Sequence, residues 1–446
     1  MARIALVCPA YYSHLRAFEA LGQRLSALGH MPVYVLPEGA ETMLEHASPA
    51  TILLPHEPVS RVRALIGRAS GITGVSGILK AVGEQAANTD RFCRLAPGLF
   101  RQEGIEAIVA DELEPGAGLV ASCLGLAHVS LACALPIERD PAMPLPFLDW
   151  PYDASEAGLS RNRGGELVGG LFMARQRAVI RRWSQRFGLG IRADDVACLS
   201  PALRLSQTVP GFDFPRPSDA RLTPVGPVRA PATARTGADL PFAIAPDRPF
   251  VFASLGTVQG HRFDLFQTIA AACARFDVQL MIAHCGGLSR AQSERLDADW
   301  VVDFVDQQAI LQRADLCVTH AGLNTVLDCL ASSTPMLALP ISFDQPGIGA
   351  RIAHHRIGRT IAGRRVRPGN FSEALTDLLA HRADYARRIA PIRAEIESAG
   401  GTERAADLID DLIARTVGRP IERRFDAAKT AANDSDHRPR ELSAMS

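Results

Sequence analysis

Two rounds of the same alternation, a short buried strand followed by an amphipathic helix, run along this chain and limit what it can fold into. Ile4–Cys8 reads as a buried strand. Leu15–Leu28 reads as a helix, with Leu15, Phe18, Leu21, Leu25 and Leu28 on one face and Gly29 ending it. Met31–Leu36 is the next strand, and Ala107–Ala110 another, followed by DELEPGAG and a helix. From Pro224 to Pro249 the period disappears into Pro, Ala, Gly, Thr and Arg. It then restarts. Phe250–Ser254 is a strand and Phe263–Phe276 a helix. Gln279–His284, Trp300–Phe304, Leu316–Thr319 and Met336–Leu339 are further strands.

Strand–helix–strand alternation implies parallel sheets covered on both faces. At 446 residues the chain exceeds one ordinary core. The expected fold class is α/β, two Rossmann-like doubly wound domains facing a cleft. The expected division is 1–225 for an acceptor-binding domain, 226–248 for a linker and 249–400 for a second domain. A C-terminal helix over 401–417, centred on Glu403–Ala414, and a disordered polar tail over 418–446 complete it.

Composition excludes several classes. Hydrophobic content of 47% with 22% charged residues is that of a globular protein. Zero net charge gives no electrostatic footprint for nucleic acid. Nine scattered cysteines show no metal spacing and read as buried free thiols of a reducing compartment. Gly116–Ile137 carries no charged side chain and is long enough to span a bilayer. It divides at Gly125, however, and its halves suit a buried helix and the buried strand HVSLACAL.

The segment Thr319–Gln345, THAGLNTVLDCLASSTPMLALPISFDQ, carries the chemistry of a nucleotide diphosphate site. His320 is cationic or hydrogen-bonding. Gly322 admits close backbone approach. Asn324 and Thr325 open a helix whose free N–H groups and dipole favour anions. Asp328 lies one turn on and can take a sugar diol. Ser254, Gly256 and Thr257 follow a strand and suit phosphate contact. Phe304, Val305 and Gln307 could stack on and bond a flat base. Neither GxGxxG nor GxxxxGK[ST] occurs. Asp297 and Asp299 have a DxD spacing but sit in a charged turn. His261, His284, His354 and His355 lack metal-ligand company.

His14 lies in the loop after the first strand, at the edge where doubly wound folds place ligands. It is a candidate general base. Asp111 ends another strand of the same half and can orient the imidazole.

Together these residues resemble the UDP-dependent glycosyltransferases of the GT-B fold, over nearly the whole chain to about Gly418. The family's plant form carries WxPQ, then HCGWNS followed by Glu, then DQ. Here these read FVDQ, HAGLNT followed by Asp328, and FDQ. The resemblance implies that Phe304 stacks on uracil and that Val305 and Gln307 bond the nucleoside. It puts Asp328 on the ribose, and His320, Asn324, Thr325, Ser254 and Thr257 on the phosphates. Asp344 and Gln345 would hold the transferred sugar, with Gln345 favouring glucose. Phe304 and Leu323 replace family tryptophans, and Asp328 is shorter than the family Glu.

YYSHLRAFEALGQRL, SLACALPIERDPAMPLP, VPGFDFPR, ASLGTVQGHRFDLF and AHCGGLS are similar to segments of the bacterial zeaxanthin glucosyltransferases. That resemblance implies UDP-glucose as donor and a hydroxycarotenoid such as zeaxanthin as acceptor, in an inverting transfer with no metal and no cofactor. Leu135–Trp150 and Gly71–Gly83 offer material for an apolar acceptor groove. The expected location is cytoplasmic, with peripheral membrane contact through the first half. The alternatives are the same chemistry on a macrolide or sterol, and a non-catalytic glycosyltransferase partner protein.

Overall fold

Parallel strands build both sheets of the computed structural model, which describes residues 1–45, 50–55, 74–217, 221–230 and 242–416. The first sheet holds β1 (Arg3–Val7), β2 (Met31–Pro37), β3 (Thr51–Leu54), β4 (Ala107–Asp111), β5 (Ala127–Ala132), β6 (Leu203–Ser206) and β7 (Leu222–Pro224). Its order is β3-β2-β1-β4-β5-β6-β7. The second holds β8 (Phe250–Ser254), β9 (Gln279–Ala283), β10 (Trp300–Val302), β11 (Leu316–Thr319), β12 (Met336–Ala338) and β13 (Gly358–Thr360). Its order is β10-β9-β8-β11-β12-β13. Each sheet reverses its winding once, between β1 and β4 and between β8 and β11. Crevices at such reversals are where open α/β sheets bind ligands.

The periodic helices form where the apolar stripe finds a sheet. Helix Tyr12–Ala27 buries Leu15, Phe18, Leu21 and Leu25 against Ile4 and Leu6 of β1. Each such side chain, fully buried, contributes about 1.5–3 kcal/mol. Gly22 lies where a Cβ would overlap the Tyr34 hydroxyl, so the helix can approach β2 closely. The apolar segment Gly116–Ile137 does divide at Gly125. Helix Pro115–Leu124 ends there in a left-handed turn with φ +64°, and β5 follows. Among the described residues no helix is long and apolar enough to cross a membrane.

The chain returns to its first half at the end. Helix Gly401–Thr416 packs Ala405, Ala406, Ile409 and Ile413 into the core that holds Ile4, Leu6 and Phe18. Arg24 pairs with Glu403 at 2.5 Å and His30 bonds Asp410 at 2.9 Å. Val225 and Val228, just after β7, are buried in the same core. Residues 231–241 of the expected linker, Gly71 to Thr73 of the expected groove and the tail from 417 onward lie outside the described residues.

The halves also meet directly. Arg351 Nε donates to Asp213 Oδ1 at 2.7 Å with both side chains buried, and Glu395 accepts from the Gly211 amide at 2.7 Å. All nine cysteines are free thiols, and seven of them are buried.

Candidate active site

A cleft of about 3080 Å³ runs between the two reversal points. On its first-half side stand His14 and Asp111, both buried, with His14 Nδ1 2.7 Å from Asp111 Oδ2. The helix begins at Tyr12, so His14 occupies its first turn and not the preceding loop. The polar run YYSH hid that start, since its apolar period begins only at Leu15. Asp111 closes β4, and its other oxygen, Oδ1, accepts from the Leu113 amide at 2.9 Å. That second bond fixes the carboxylate toward the imidazole. Burial lowers the basicity of His14, but the Asp111 charge and hydrogen bond, together with the Asp344 and Glu114 charges, outweigh it, and the net movement is upward. With Nδ1 held by Asp111, Nε2 is the nitrogen left for a substrate proton.

The surroundings are acidic and dry. Burial, then Asp111, pushes Glu114 up to about 8, so it is largely protonated at neutral pH. Burial likewise raises Glu112 to about 7 and moves Asp344 upward. Cys133 brings a thiol within 4.8 Å of the ligating atoms of His14 and Asp111. Nδ1 of His14 already donates its N–H to Asp111, which makes this a hydrogen-bonded dyad beside a thiol.

On the opposite side, His320 follows β11 and its ring lies between two glycines. A Cβ on Gly256 would come within 2.7 Å of its Cε1, and one on Gly322 would overlap its Nε2. Gly256 also holds φ +69°, a backbone that favours glycine. Burial pushes His320 down to about 4, so the ring is neutral and acts as a hydrogen-bonding group, not a cation. Gly322 caps helix Leu323–Ala331 with no side chain on its first amides, leaving them for an anion. Ser254 is buried at the end of β8, its hydroxyl accepting from the Gly256 amide at 3.3 Å, and Thr257 opens the next short helix.

Phe304 lies beyond the end of β10 and is 61% exposed on the cleft wall. That removes a core role and leaves its face free. Val305 is half-buried beside it. Gln307 Nε2 donates to Asp328 Oδ2 at 2.6 Å, and its Oε1 accepts from the Thr325 hydroxyl at 3.3 Å. Thr325 is therefore tied to Gln307, not to the helix amides. Asn324 reaches across the cleft and donates to the Ser13 carbonyl at 3.2 Å.

The two residues expected to hold the sugar already have partners. Asp344 Oδ2 accepts from the Leu135 amide at 3.0 Å, a second bond across the cleft. Gln345 is buried with Oε1 accepting from the Ile341 and Ser342 amides, both at 2.9 Å. Its NH2 group is what remains for a ligand.

Arg229 and Gln308 belong to this site and were not read from the sequence. Arg229 forms an ion pair with Asp328, and Gln308 donates to the same carboxylate at 3.3 Å. Burial lowers Arg229 to about 10, which keeps it cationic at neutral pH. Nothing local distinguishes Arg229 from the many other arginines, whereas Gln308 adjoins the motif. Tyr11 also packs its ring 5.6 Å from that of His14 and 6.2 Å from that of Phe343. Strain gathers here too. Cys285, Ala321 and Phe343 hold φ of 53°, 64° and 56°, costly for side-chain-bearing residues.

Four of the remaining candidates have structural partners. Asp299 accepts from the Leu280 amide at 2.8 Å. His284 bonds Ser293 at 3.2 Å and Asp303 at 3.0 Å. His354 packs edge-on to Phe214, and His355 bonds the Asp213 carbonyl at 3.0 Å.

Residues 263–409 match the glycosyltransferase family 28 C-terminal domain. The chain is 38% identical over 430 residues to the zeaxanthin glucosyltransferase of Pantoea ananas, covering 94% of this chain and 98% of that one. It is 37% identical over 426 residues to the enzyme of the same name from Pseudescherichia vulneris, covering 93% and 98%. The chain belongs to the glycosyltransferase family of these two enzymes. The fold of this glycosyltransferase is GT-B. A kitacinnamycin glycosyltransferase structure superposes with TM-score 0.72 at 21% identity, over 92% of this chain and 99% of that one. A calicheamicin glycosyltransferase superposes with TM-score 0.70 at 17% identity, over 94% and 99%. In this glycosyltransferase the two reversal points face one cleft.

Proposed function

We propose that this glycosyltransferase moves glucose from UDP-glucose to a hydroxyl of a hydroxycarotenoid, zeaxanthin first, with inversion at the anomeric carbon. The observation that carries the reading is the full-length similarity to two zeaxanthin glucosyltransferases, spanning the acceptor half as well as the donor half. The similarity to oleandomycin glycosyltransferase covers 25% of the chain and lends no weight to a macrolide acceptor.

In this reading His14 Nε2 takes the proton of the acceptor hydroxyl, and Asp111 stabilises the imidazolium that results. The acceptor oxygen forms its bond to the anomeric carbon as the bond to the β-phosphate breaks on the opposite face. UDP leaves with the electron pair. Its charge falls on the amides that open helix Leu323–Ala331, with the Ser254 and Thr257 hydroxyls donating hydrogen bonds and neutral His320 packed beside them. These fixed donors serve where other transferases use a metal, and no cofactor is required. Phe304 stacks on uracil, Val305 and Gln307 bond the nucleoside, and Asp328 holds the ribose diol. Asn324 and Thr325 set the edge of the phosphate site, and Asp344 and Gln345 face the sugar.

The acceptor side supports a long apolar ligand. Ile78, Val82, Leu145, Phe147, Val168 and Phe172 line it. An acceptor of this kind is dissolved in membranes, and the proposed location is the cytoplasmic face with peripheral contact. The buried dyad favours a catalytic chain over a non-catalytic partner protein. His14→Ala tests the reading. Transfer is expected to fall at least about 10³-fold while UDP affinity holds. Near wild-type transfer by that variant would remove the assigned base.

A further inference from the structure

The C-terminal half of helix Glu156–Phe172 has its polarity turned inside out. The helix buries Gly158, Asn162 and Gly169, while Leu167 and Leu171 stand 74% and 76% exposed and Val168 54%. A helix on a water-facing surface shows the reverse pattern. Glycines seat it. A Cβ on Gly165 would lie 2.8 Å from the Trp150 ring, and one on Gly169 2.9 Å from Leu145. Small residues therefore meet the protein and leucines meet the solvent.

A second stripe adjoins the first. Val75, Ile78 and Leu79, at i, i+3 and i+4 in the first turns of helix Gly74–Gln102, are all exposed. The two helices pack against each other. Ile78 and Val168 also line the cleft, so the exposed apolar surface runs on into the acceptor side. Lys80, Arg163 and Arg175 are exposed on the flanks against one exposed carboxylate on these two helices, Glu156 at the far end, while Glu84 and Glu166 are only half-exposed.

We propose that these two helix faces dock on a bilayer bearing anionic headgroups, so that a lipophilic alcohol passes from the bilayer into the cleft without crossing water. This rests on the reading of the acceptor as a membrane-dissolved compound. Contiguous apolar surface of this kind marks a partner or a membrane. The flanking cations select between them. A second copy would bring the same positive charges together across a symmetric interface, whereas anionic headgroups complement them. Apolar helix faces ringed by Lys and Arg bind interfaces by burying the apolar side among acyl chains.

The test is flotation of the purified full chain with phosphatidylcholine vesicles, with and without phosphatidylglycerol, beside the double variant Leu167→Asp, Leu171→Asp. Neither leucine lines the cleft. The wild type is expected to float with anionic vesicles and to release as salt rises. The variant should lose at least about tenfold in vesicle affinity and keep the wild-type melting temperature. It should glucosylate detergent-dispersed zeaxanthin normally but vesicle-embedded zeaxanthin at least about tenfold more slowly. A wild type that stays unbound, a variant that floats equally well, or a wild-type dimer that the variant splits overturns the proposal. Flotation needs no turnover, so a chain that floats normally yet never glucosylates zeaxanthin upholds the docking surface and sinks the acceptor reading instead.

Discussion

Asp111→Asn changes one atom at the centre of the dyad, and the structure dictates how the replacement sits. Asp111 Oδ1 accepts from the Leu113 amide at 2.9 Å, and an Asn carbonyl keeps that bond. The Asn NH2 then takes the place of Oδ2, 2.7 Å from His14 Nδ1. A donor there forces Nδ1 to accept, so Nε2 carries the proton and cannot take one from the acceptor. The imidazolium also loses its counter-charge. Two unit charges about 4 Å apart interact by about 4 kcal/mol at an effective dielectric constant of 20. That corresponds to about 10³-fold in rate. The pH profile should move as well. His14 must be neutral to act, so kcat/KM falls as pH drops through its pKa, which Asp111 holds above the ordinary imidazole value against burial. Without the carboxylate, burial dominates and the acid limb shifts to lower pH. Initial rates with UDP-glucose and detergent-dispersed zeaxanthin across the neutral range would read both effects. A variant within threefold of wild type on the plateau, with an unmoved acid limb, would refute the dyad.

Other consequences follow from the donor side. Arg229→Met leaves the buried Asp328 carboxylate without its cation and should destabilise the fold by about 3 kcal/mol in thermal denaturation. Adding Asp328→Asn should restore most of that stability without restoring UDP affinity; failure to recover would show that Arg229 acts through packing. His320, held near 4 by burial, stays neutral across the physiological range. The pH dependence of UDP-glucose affinity from pH 8 to pH 6, where Glu112 and Glu114 titrate, should therefore be the same in His320→Gln as in the wild type by calorimetry, and a rise toward pH 6 that this variant loses would mark His320 as a titrating cation.

The parts of this protein legible in its sequence are those where one physical signal was strong. Buried strands such as Phe250–Ser254 and Leu316–Thr319 stand at their expected limits because both faces are covered and the apolar run is unbroken. The edge strands β3, β7 and β13, and β6 beside β7, were not read. They are short, and β6 and β7 are only partly buried, so they carry weak patterns. Helix Glu156–Phe172 escaped for the opposite reason, since its apolar residues face outward and no inward stripe exists to be seen. In the site, Thr319–Gln345 announced itself through local spacing. His14 and Asp111 were paired only by the argument that strand ends of one sheet meet. Arg229 gave no local signal, because its partner lies 99 positions on, a difference of 328 and 229, and only the closed tertiary structure joins them. The partners of Asp344 and Gln345 were equally hidden, since one is an amide of the other half and the rest are amides of the adjoining loop.

The most direct test of the account is the product made by the purified chain from UDP-glucose and zeaxanthin. Its mass should rise by one or two hexosyl units over zeaxanthin, with the sugar β-linked as inversion requires. An unmodified carotenoid, alongside efficient transfer to a macrolide or sterol, would contradict the assignment of the acceptor; an α-linked product would contradict the single displacement at His14.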